Sequence, residues 1–347
     1  MTEIVASIKP RSGTAAQWGS ANPVLRGGEQ GYETDTKKTK RGDGSTHWND
    51  LPYDPTGSID GLGVSLYSRG LSDATTDIGA LINAAFADGV KHVVVPYRAA
   101  AWPSLTKILG TGVWVEFESG ARISNNHNAA GVELTSSRLT NASFTSIYTG
   151  PSSSADATSA TYAYPARATA LRDNCLVDGS YYHEYACQGL VFLGAHIRVT
   201  CALRFKNIRH QRGWAHAIHA GQDTNIYDVR CTGPIYIEDC DRGIENEDGA
   251  HDIVYSGGGH LKNVYPNGYT GQGSAVTYEN YTFVLDAHAH TGTGGVWGIR
   301  FLGSWIVENC GGGVSFIRSN GTNDSDMPRN CIVEDVRFIG RGLSSGY

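Results

Sequence analysis

A single short word repeats along the second half of this chain, and few folds accommodate such a repeat. The word is an apolar or aromatic residue, a charged or polar one, Asn or Asp, and then an apolar residue. It occurs in Arg204-Phe-Lys-Asn-Ile208, Asn225-Ile-Tyr-Asp-Val229, Ile237-Glu-Asp-Cys240, His260-Leu-Lys-Asn-Val264, Ile306-Val-Glu-Asn-Cys310 and Ile332-Val-Glu-Asp-Val336. The Asn/Asp positions are 207, 228, 239, 263, 309 and 335, with gaps of 21, 11, 24, 46 and 26 residues. The gap of 46 is twice 23, and 11 is about half a turn. The underlying step of roughly 20–26 residues is one coil of a parallel β-helix, a solenoid in which each coil buries one side of its short strands and stacks on the next. Asn and Asp suit the bends, where their side chains satisfy backbone groups. Ladders of Asn along the axis are the expected consequence. A leucine-rich repeat would need an L-x-x-L-x-L pattern, which is absent, and a β-sandwich would not give this recurrence.

Composition agrees. The chain holds 44 glycines without a collagen-like period and only 18% charged residues, which suits many short strands joined by turns. Its 347 residues leave room for two or three domains. The formal charge is −6, and the main basic cluster, Lys37-Lys38-Thr-Lys40-Arg41, reads as a solvated turn, so nucleic acid is not an expected partner. No apolar run approaches the ~18 residues that span a membrane. The first residues, MTEIVASIKP, lack the charged and apolar regions of a secretory signal. The seven cysteines are odd in number and form no CxxC, so small buried thiols are expected instead of a disulfide framework or a zinc site.

Two segments precede the repeat. Asp54 to Leu71 is rich in Gly, Ser and Pro and reads as a linker. A helix is expected over about 75–88, with Thr75 or Thr76 as N-cap, Asp77 in the first turn, and Ile78, Leu81, Ile82, Ala85 and Phe86 on one face. Gly89 stops it, and Val93-Val94-Val95 follows as a buried strand ended by Pro96. Such a helix can cover the open end of a sheet stack. Thr149 to Thr169 and Pro266 to Ser274 interrupt the repeat as loops.

Residues 9–53 form a β-rich module punctuated by the turn signals Asn22-Pro23, Gly27-Gly28, Asp43-Gly44 and Asn49-Asp50, with Trp18, Tyr32, Trp48 and Tyr53 as anchors. Its words are Arg11-Ser-Gly-Thr-Ala-Ala-Gln-Trp18, Asn22-Pro-Val-Leu25, Gly28-Glu-Gln-Gly-Tyr-Glu-Thr-Asp-Thr36 and Gly42-Asp-Gly-Ser-Thr-His-Trp-Asn-Asp-Leu-Pro-Tyr53. They closely resemble a domain at the N-terminus of many bacteriophage tail fibre and tail spike proteins, a family that includes tropism determinants and phage hyaluronate lyases. The resemblance covers about the first sixth of the chain and implies a place in the virion tail. The helix and strand at 73–96 resemble the opening segment of pectate-lyase-like right-handed β-helices through Asp73, Asp77, Ala80, Ala84, Gly89 and Pro96. The Gly-Asp-Gly usual before that helix is replaced by Gly70-Leu-Ser-Asp73.

Chemistry is concentrated in Glu238 to Asp252, with seven carboxylates in fifteen positions. Strand alternation would put Glu245 and Glu247 on one face. Glycoside hydrolysis needs two carboxyl groups about 5–9.5 Å apart, so Asp241, Glu245, Glu247 and Asp248 are the candidate catalytic residues. Solvated charge on the outside of a coil, or a cation site, is the alternative. Tyr181, Tyr182 and Trp214 are candidate glycan-stacking residues, with packing as their other reading. His216, His219, His251, His288 and His290 form a histidine-rich group, and Asp286, His288 and His290 could share a strand face; no metal ligand set is assigned and no cofactor is expected.

The resulting expectation is a mainly β protein: a virion-attachment-like β-domain at 1–53, a linker at 54–71, and a right-handed single-stranded parallel β-helix at 72–347. It would be a structural tail spike or minor tail component that is made in the host cytoplasm, docks on tail or baseplate proteins through 1–53, forms a homotrimer and recognises a host surface glycan. The alternative is a polysaccharide depolymerase. No membrane insertion is expected.

Overall fold

The computed structural model describes residues 11–36, 38–53, 63–72, 76–125, 131–145, 169–186, 188–208, 215–221, 226–247, 249–264, 285–290, 295–310, 313–319 and 328–340; for 125, 286–290 and 315–319 it describes the backbone alone. The protein is mainly β, and from Val64 onward every described strand pairing is parallel.

Three rows of short strands run in register along the chain. The first row threads Val93, Val115, Leu139, Val177, Val199, Cys231, Tyr255 and Phe301, each paired with the next. The second threads Ile123, Phe144, His183, Phe205, Ile237, Leu261 and Val307. The third threads Ile108, Val132, Thr169, Leu190, Ile218, Ile244 and Leu285. All these side chains are buried, so each row contributes one face to a common core. Two long strands, Arg138–Thr145 and Leu176–Ala186, turn the corner from the first row to the second, at Asn141 (φ 53°) and Gly179 (φ 72°).

The repeated Asn and Asp residues occupy such corners. Asn207, Asp228, Asp239, Asn263, Asn309 and Asp335 all have φ between 46° and 55°, a left-handed conformation that Asn and Asp tolerate better than other side-chain-bearing residues. The word nevertheless marks more than one kind of bend. Ile208 and Cys240 lie on adjacent coils 32 residues apart, so Asn207 stacks beneath Asp239, whereas Asp228 stands at a different corner, before the first row. The gaps of 21 and 11 therefore divide one coil between two bends. Coils also exceed the expected step: Asn309 follows Asn263 by 46 residues on the adjacent coil, so that gap is a single turn and not two.

The helix runs Ile78–Ala87, with Asp77 itself as N-cap instead of Thr75 or Thr76. Asp77 accepts from the backbone N–H groups of Gly79 and Ala80, from those of Leu105 and Thr106, and from the Thr106 hydroxyl at 2.6 Å. Capping and tying to the first coil thus use one carboxylate. Ile78, Ile82 and Ala85 enter the main core, and Leu81 and Phe86 pack against it.

The linker expected over 54–71 is shorter than its composition suggested. Val64–Ser65 pairs in parallel with the His92–Val95 strand, Leu66–Arg69 forms a 3-10 turn, and Val64, Leu66 and Leu71 are buried in the main core. Three well-spaced apolar residues outweigh the surrounding Gly and Ser. Residues 54–62 lie outside the described residues.

Near the N-terminus, Arg11–Gly13 pairs in parallel with Gln30–Glu33, which pairs antiparallel with Thr39–Arg41. The module expected to be β-rich also holds a helix, Ala15–Ala21, opened by a reciprocal capping pair between Thr14 and Gln17. Trp18, Leu25 and Trp48 form a core of their own, with the two indoles stacked at 4.2 Å. Lys40, read as part of a solvated cluster, is buried: its ammonium donates to the Trp48 carbonyl at 2.7 Å and lies 4.4 Å from the Tyr53 ring centre. An aromatic cage holds that charge in place of water. Among the described residues no helix is long and apolar enough to cross a membrane. Six described cysteines are free thiols, four of them buried.

Candidate functional site

The acidic segment lies inside the protein. In the strand His216–Ala220, Ala217 and Ile218 both enter the main core, so alternation breaks there. His216 and His219 consequently come together, with ring centres 4.9 Å apart. The neighbouring strand, Arg242–Glu247, brings Glu245 into register with His219. The Glu245 carboxylate contacts His216 Nε2, and Arg242 Nη1 lies 3.2 Å from that nitrogen and 3.3 Å from Glu245 Oε1. His219 Nε2 lies 2.7 Å from Glu247 Oε1, and Gln188 Nε2 lies 3.3 Å from His219 Nδ1. Burial pushes the His216 pKa down, against the opposing pull of Glu245, which favours a neutral ring. One ligand atom from each of His216, His219 and Glu245 lies within 4.8 Å of the others.

Asp241, Glu245 and Glu247 are therefore not solvated charges on the outside of a coil: their exposures are 0%, 2% and 9%. Asp241 and Glu245 are enclosed, whereas the Glu247 side chain keeps 12% exposure. Asp248 and Trp214 lie outside the described residues. Asp286 and His288 are the register neighbours of Glu245 and Glu247 on the Leu285–His290 strand, of which the backbone alone is described over 286–290.

The adjacent tyrosines separate cleanly. Tyr181 is a core residue and not a sugar platform: it is 1% exposed and its hydroxyl donates to Thr169 Oγ1 at 2.9 Å. Tyr182 points outward and lines an open groove of about 380 Å³ with Arg122, Asn141, Ser143 and Ser180. Arg122 stands 5.8 Å from the Tyr182 ring centre. The Tyr182 hydroxyl donates to Glu184 at 2.9 Å, and burial together with that carboxylate pushes its pKa up to about 12, so it remains a donor.

Beyond the groove, register continues a row of side chains from Tyr182 along the second row. Tyr182 pairs with Arg204, Arg204 with Tyr236 and Tyr236 with His260. Arg204 lies 4.2 Å from the Tyr236 ring centre. Beside them runs a charged ladder, Glu184, Lys206, Glu238, Lys262 and Glu308, with a Lys206–Glu238 ion pair at 3.1 Å and His260 2.8 Å from Glu308. Flat rings between fixed donors and acceptors are the elements a carbohydrate surface requires. Periodicity alone could not find Tyr236 or Arg204, because a single strand does not reveal which alternate residues face out.

A second aromatic line follows the corner before the first row. Tyr227 stacks on His251 at 5.2 Å, and His251 on Trp297 at 4.1 Å, with Trp297 40% exposed. Asp228, joined to Arg198 at 2.6 Å and to His196 at 2.9 Å, is held at a pKa of about 2 by those hydrogen bonds.

Residues 8–46 match the family model of the major tropism determinant N-terminal domain. With the words at 11–53, that match indicates a protein related to phage tropism and tails. A solved structure titled Geobacillus virus E2 ORF18 aligns over 96% of this chain and 76% of its own, at 12% identity and a TM-score of 0.29, a likeness too slight to fix the fold. No curated protein matches the chain.

Proposed function

We propose that this protein is a tail spike or minor tail protein of a bacteriophage that recognises a host cell-surface glycan. Residues 1–53 are its attachment module toward tail or baseplate proteins, 54–62 its linker, and the remainder a right-handed single-stranded parallel β-helix of the pectate-lyase type, assembled as a homotrimer in the virion tail. The tropism-determinant match at 8–46 supports the location. The observation that carries glycan recognition is the open groove at Tyr182, together with the row of Arg204, Tyr236 and His260 that stands in register with that tyrosine. Adsorption is preferred to cleavage because the candidate catalytic carboxylates Asp241, Glu245 and Glu247 are buried.

The test uses purified surface polysaccharide from a susceptible host, immobilised and titrated with full-length protein. Binding should be measurable, and Tyr182→Ala and Tyr236→Ala should each weaken it about tenfold, the scale of one lost stacking contact of roughly 1.4 kcal/mol. Reducing ends should not accumulate. Absence of wild-type binding would sink the adhesin reading, and release of reducing ends would turn the choice to a depolymerase. Light scattering at micromolar protein should give three chains per particle; a monomer mass rejects the trimer.

A further inference from the structure

We propose that His216, His219 and Glu245 bind one divalent transition-metal ion, best matched by zinc, which clamps two neighbouring coils together. Two imidazole nitrogens and one carboxylate oxygen are the mixed donor set such ions take, whereas calcium and magnesium prefer oxygen alone. The three ligand atoms already lie within 4.8 Å of one another. Four bonds of about 2.1 Å in a tetrahedron would bring them to roughly 3.4 Å apart, a side-chain adjustment of about 1 Å. The two imidazole centres stand 4.9 Å apart, the spacing of two imidazoles on one ion, but their planes are 19° from parallel, so both rings must rotate out of the stack to aim their nitrogens at one point.

Local sequence makes the site possible. His216 and His219 are three residues apart and share a side only because Ala217 and Ile218 both turn into the core. Glu245 comes from the adjacent coil, in register with His219. An ion joining them would therefore bridge coils whose strands are otherwise linked by backbone hydrogen bonds. His216 Nδ1 is buried and has no hydrogen-bond partner among the described residues. Glu247, 2.7 Å from His219 Nε2, has the place of the outer carboxylate that holds a proton on that nitrogen, which leaves Nδ1 for the metal once the Gln188 amide, 3.3 Å from it, turns aside. Arg242 Nη1 lies 3.3 Å from one Glu245 oxygen and 3.5 Å from the other, so an ion would take one of these oxygens and leave the guanidinium the second.

Untagged full-length protein is stripped with EDTA, titrated with zinc chloride, desalted and analysed for metal. One zinc per chain should remain, the melting temperature should rise, and cobalt(II) in its place should give the visible bands of a tetrahedral site. His216→Ala, His219→Ala and the near-isosteric Glu245→Gln should each weaken retention about tenfold or more, while His196→Ala at the exposed corner should not. X-ray absorption of the zinc-loaded wild type keeps the test independent of how the variants fold: a shell of nitrogen and oxygen with imidazole scattering is expected. The proposal is overturned if the wild type retains no stoichiometric zinc, if the shell contains sulfur or only water, or if all three variants retain the ion fully.

Discussion

The side-chain amide of Asn309 donates to that of Asn263 at 2.6 Å across 46 residues of sequence, and Asn263 in turn donates to the Asp239 carboxylate at 2.9 Å. Both asparagines hold a left-handed backbone, with φ of 52°. Asn263 therefore serves two ends at once: it relieves a strained corner and joins three coils. Asn263→Ala should cost about 1–3 kcal/mol, since it loses the two links and places an ordinary side chain at positive φ. Asn263→Gly keeps the backbone comfortable and should cost less. Urea midpoints for the two variants decide the matter; equal losses would show that the corner conformation contributes nothing.

His183 should be improved upon by phenylalanine. It sits in the second-row ladder between Phe144 and Phe205, wholly buried, and neither ring nitrogen has a hydrogen-bond partner among the described residues. Burial lowers its pKa from 6.5 to about 3. Between those values the unfolded chain binds the extra proton, so stability falls as pH drops below about 6.5, with a slope of up to ~1.4 kcal/mol per pH unit, and levels off near pH 3. His183→Phe should raise the urea midpoint at pH 7 by the equivalent of about 1–3 kcal/mol and more at pH 5. A lower midpoint at both pH values would mean that the ring nitrogens are satisfied after all.

Asp77→Ala should loosen the opening of the stack. The carboxylate loses its cap contacts with Gly79 and Ala80 and its ties to Leu105 and Thr106 together. Burial acts to raise its pKa, but the hydrogen bonds from Thr106, Leu105 and Ala80 outweigh it and leave the pKa low. A loss of about 2–3 kcal/mol is expected, above the ~1 kcal/mol of an ordinary N-cap. Hydrogen exchange should show faster exchange in 78–87 and 102–111 before the later coils. Uniform exchange across the chain would argue against a local role.

Gly31→Ala should disrupt the N-terminal core alone. A Cβ at residue 31 would stand 2.4 Å from Trp48 Cζ3, inside the stack formed with Trp18. Trypsin should then cut within residues 11–53, while the far-ultraviolet circular dichroism of the remaining strands persists. Cooperative loss of the whole β signal would reject the division of the chain at 54–62.

Much of this architecture was legible because its bends demand particular residues. Asn207, Asp239, Asn263 and Asn309 are visible in sequence since few side chains accept a left-handed corner. The word could not say which corner it marked, and Asp228 was grouped with residues from another edge. The helix at 78–87 was legible from its apolar period, but its cap was displaced to Asp77 by contacts with Leu105 and Thr106, which no local pattern contains. Tyr181 and Tyr182 look equivalent in sequence; only the phase of the Leu176–Ala186 strand sends one inward and the other out. The buried cluster of His216, His219 and Glu245 depends on a break in alternation at Ala217 and Ile218, for which the sequence carries no signal.

The Asn263–Asp239 link spans 24 residues and the Asn309–Asn263 link spans 46, yet in both an Asn side-chain amide donates to the corner residue of the coil before it. Register between coils is thus blind to the length of chain spent between them. Segments joining the rungs can lengthen, shorten or be exchanged while the rod beneath keeps its spacing. In the adsorption role proposed above, that would separate two evolutionary clocks: the segments between rungs could track the host, and the support that holds them need not be reinvented each time.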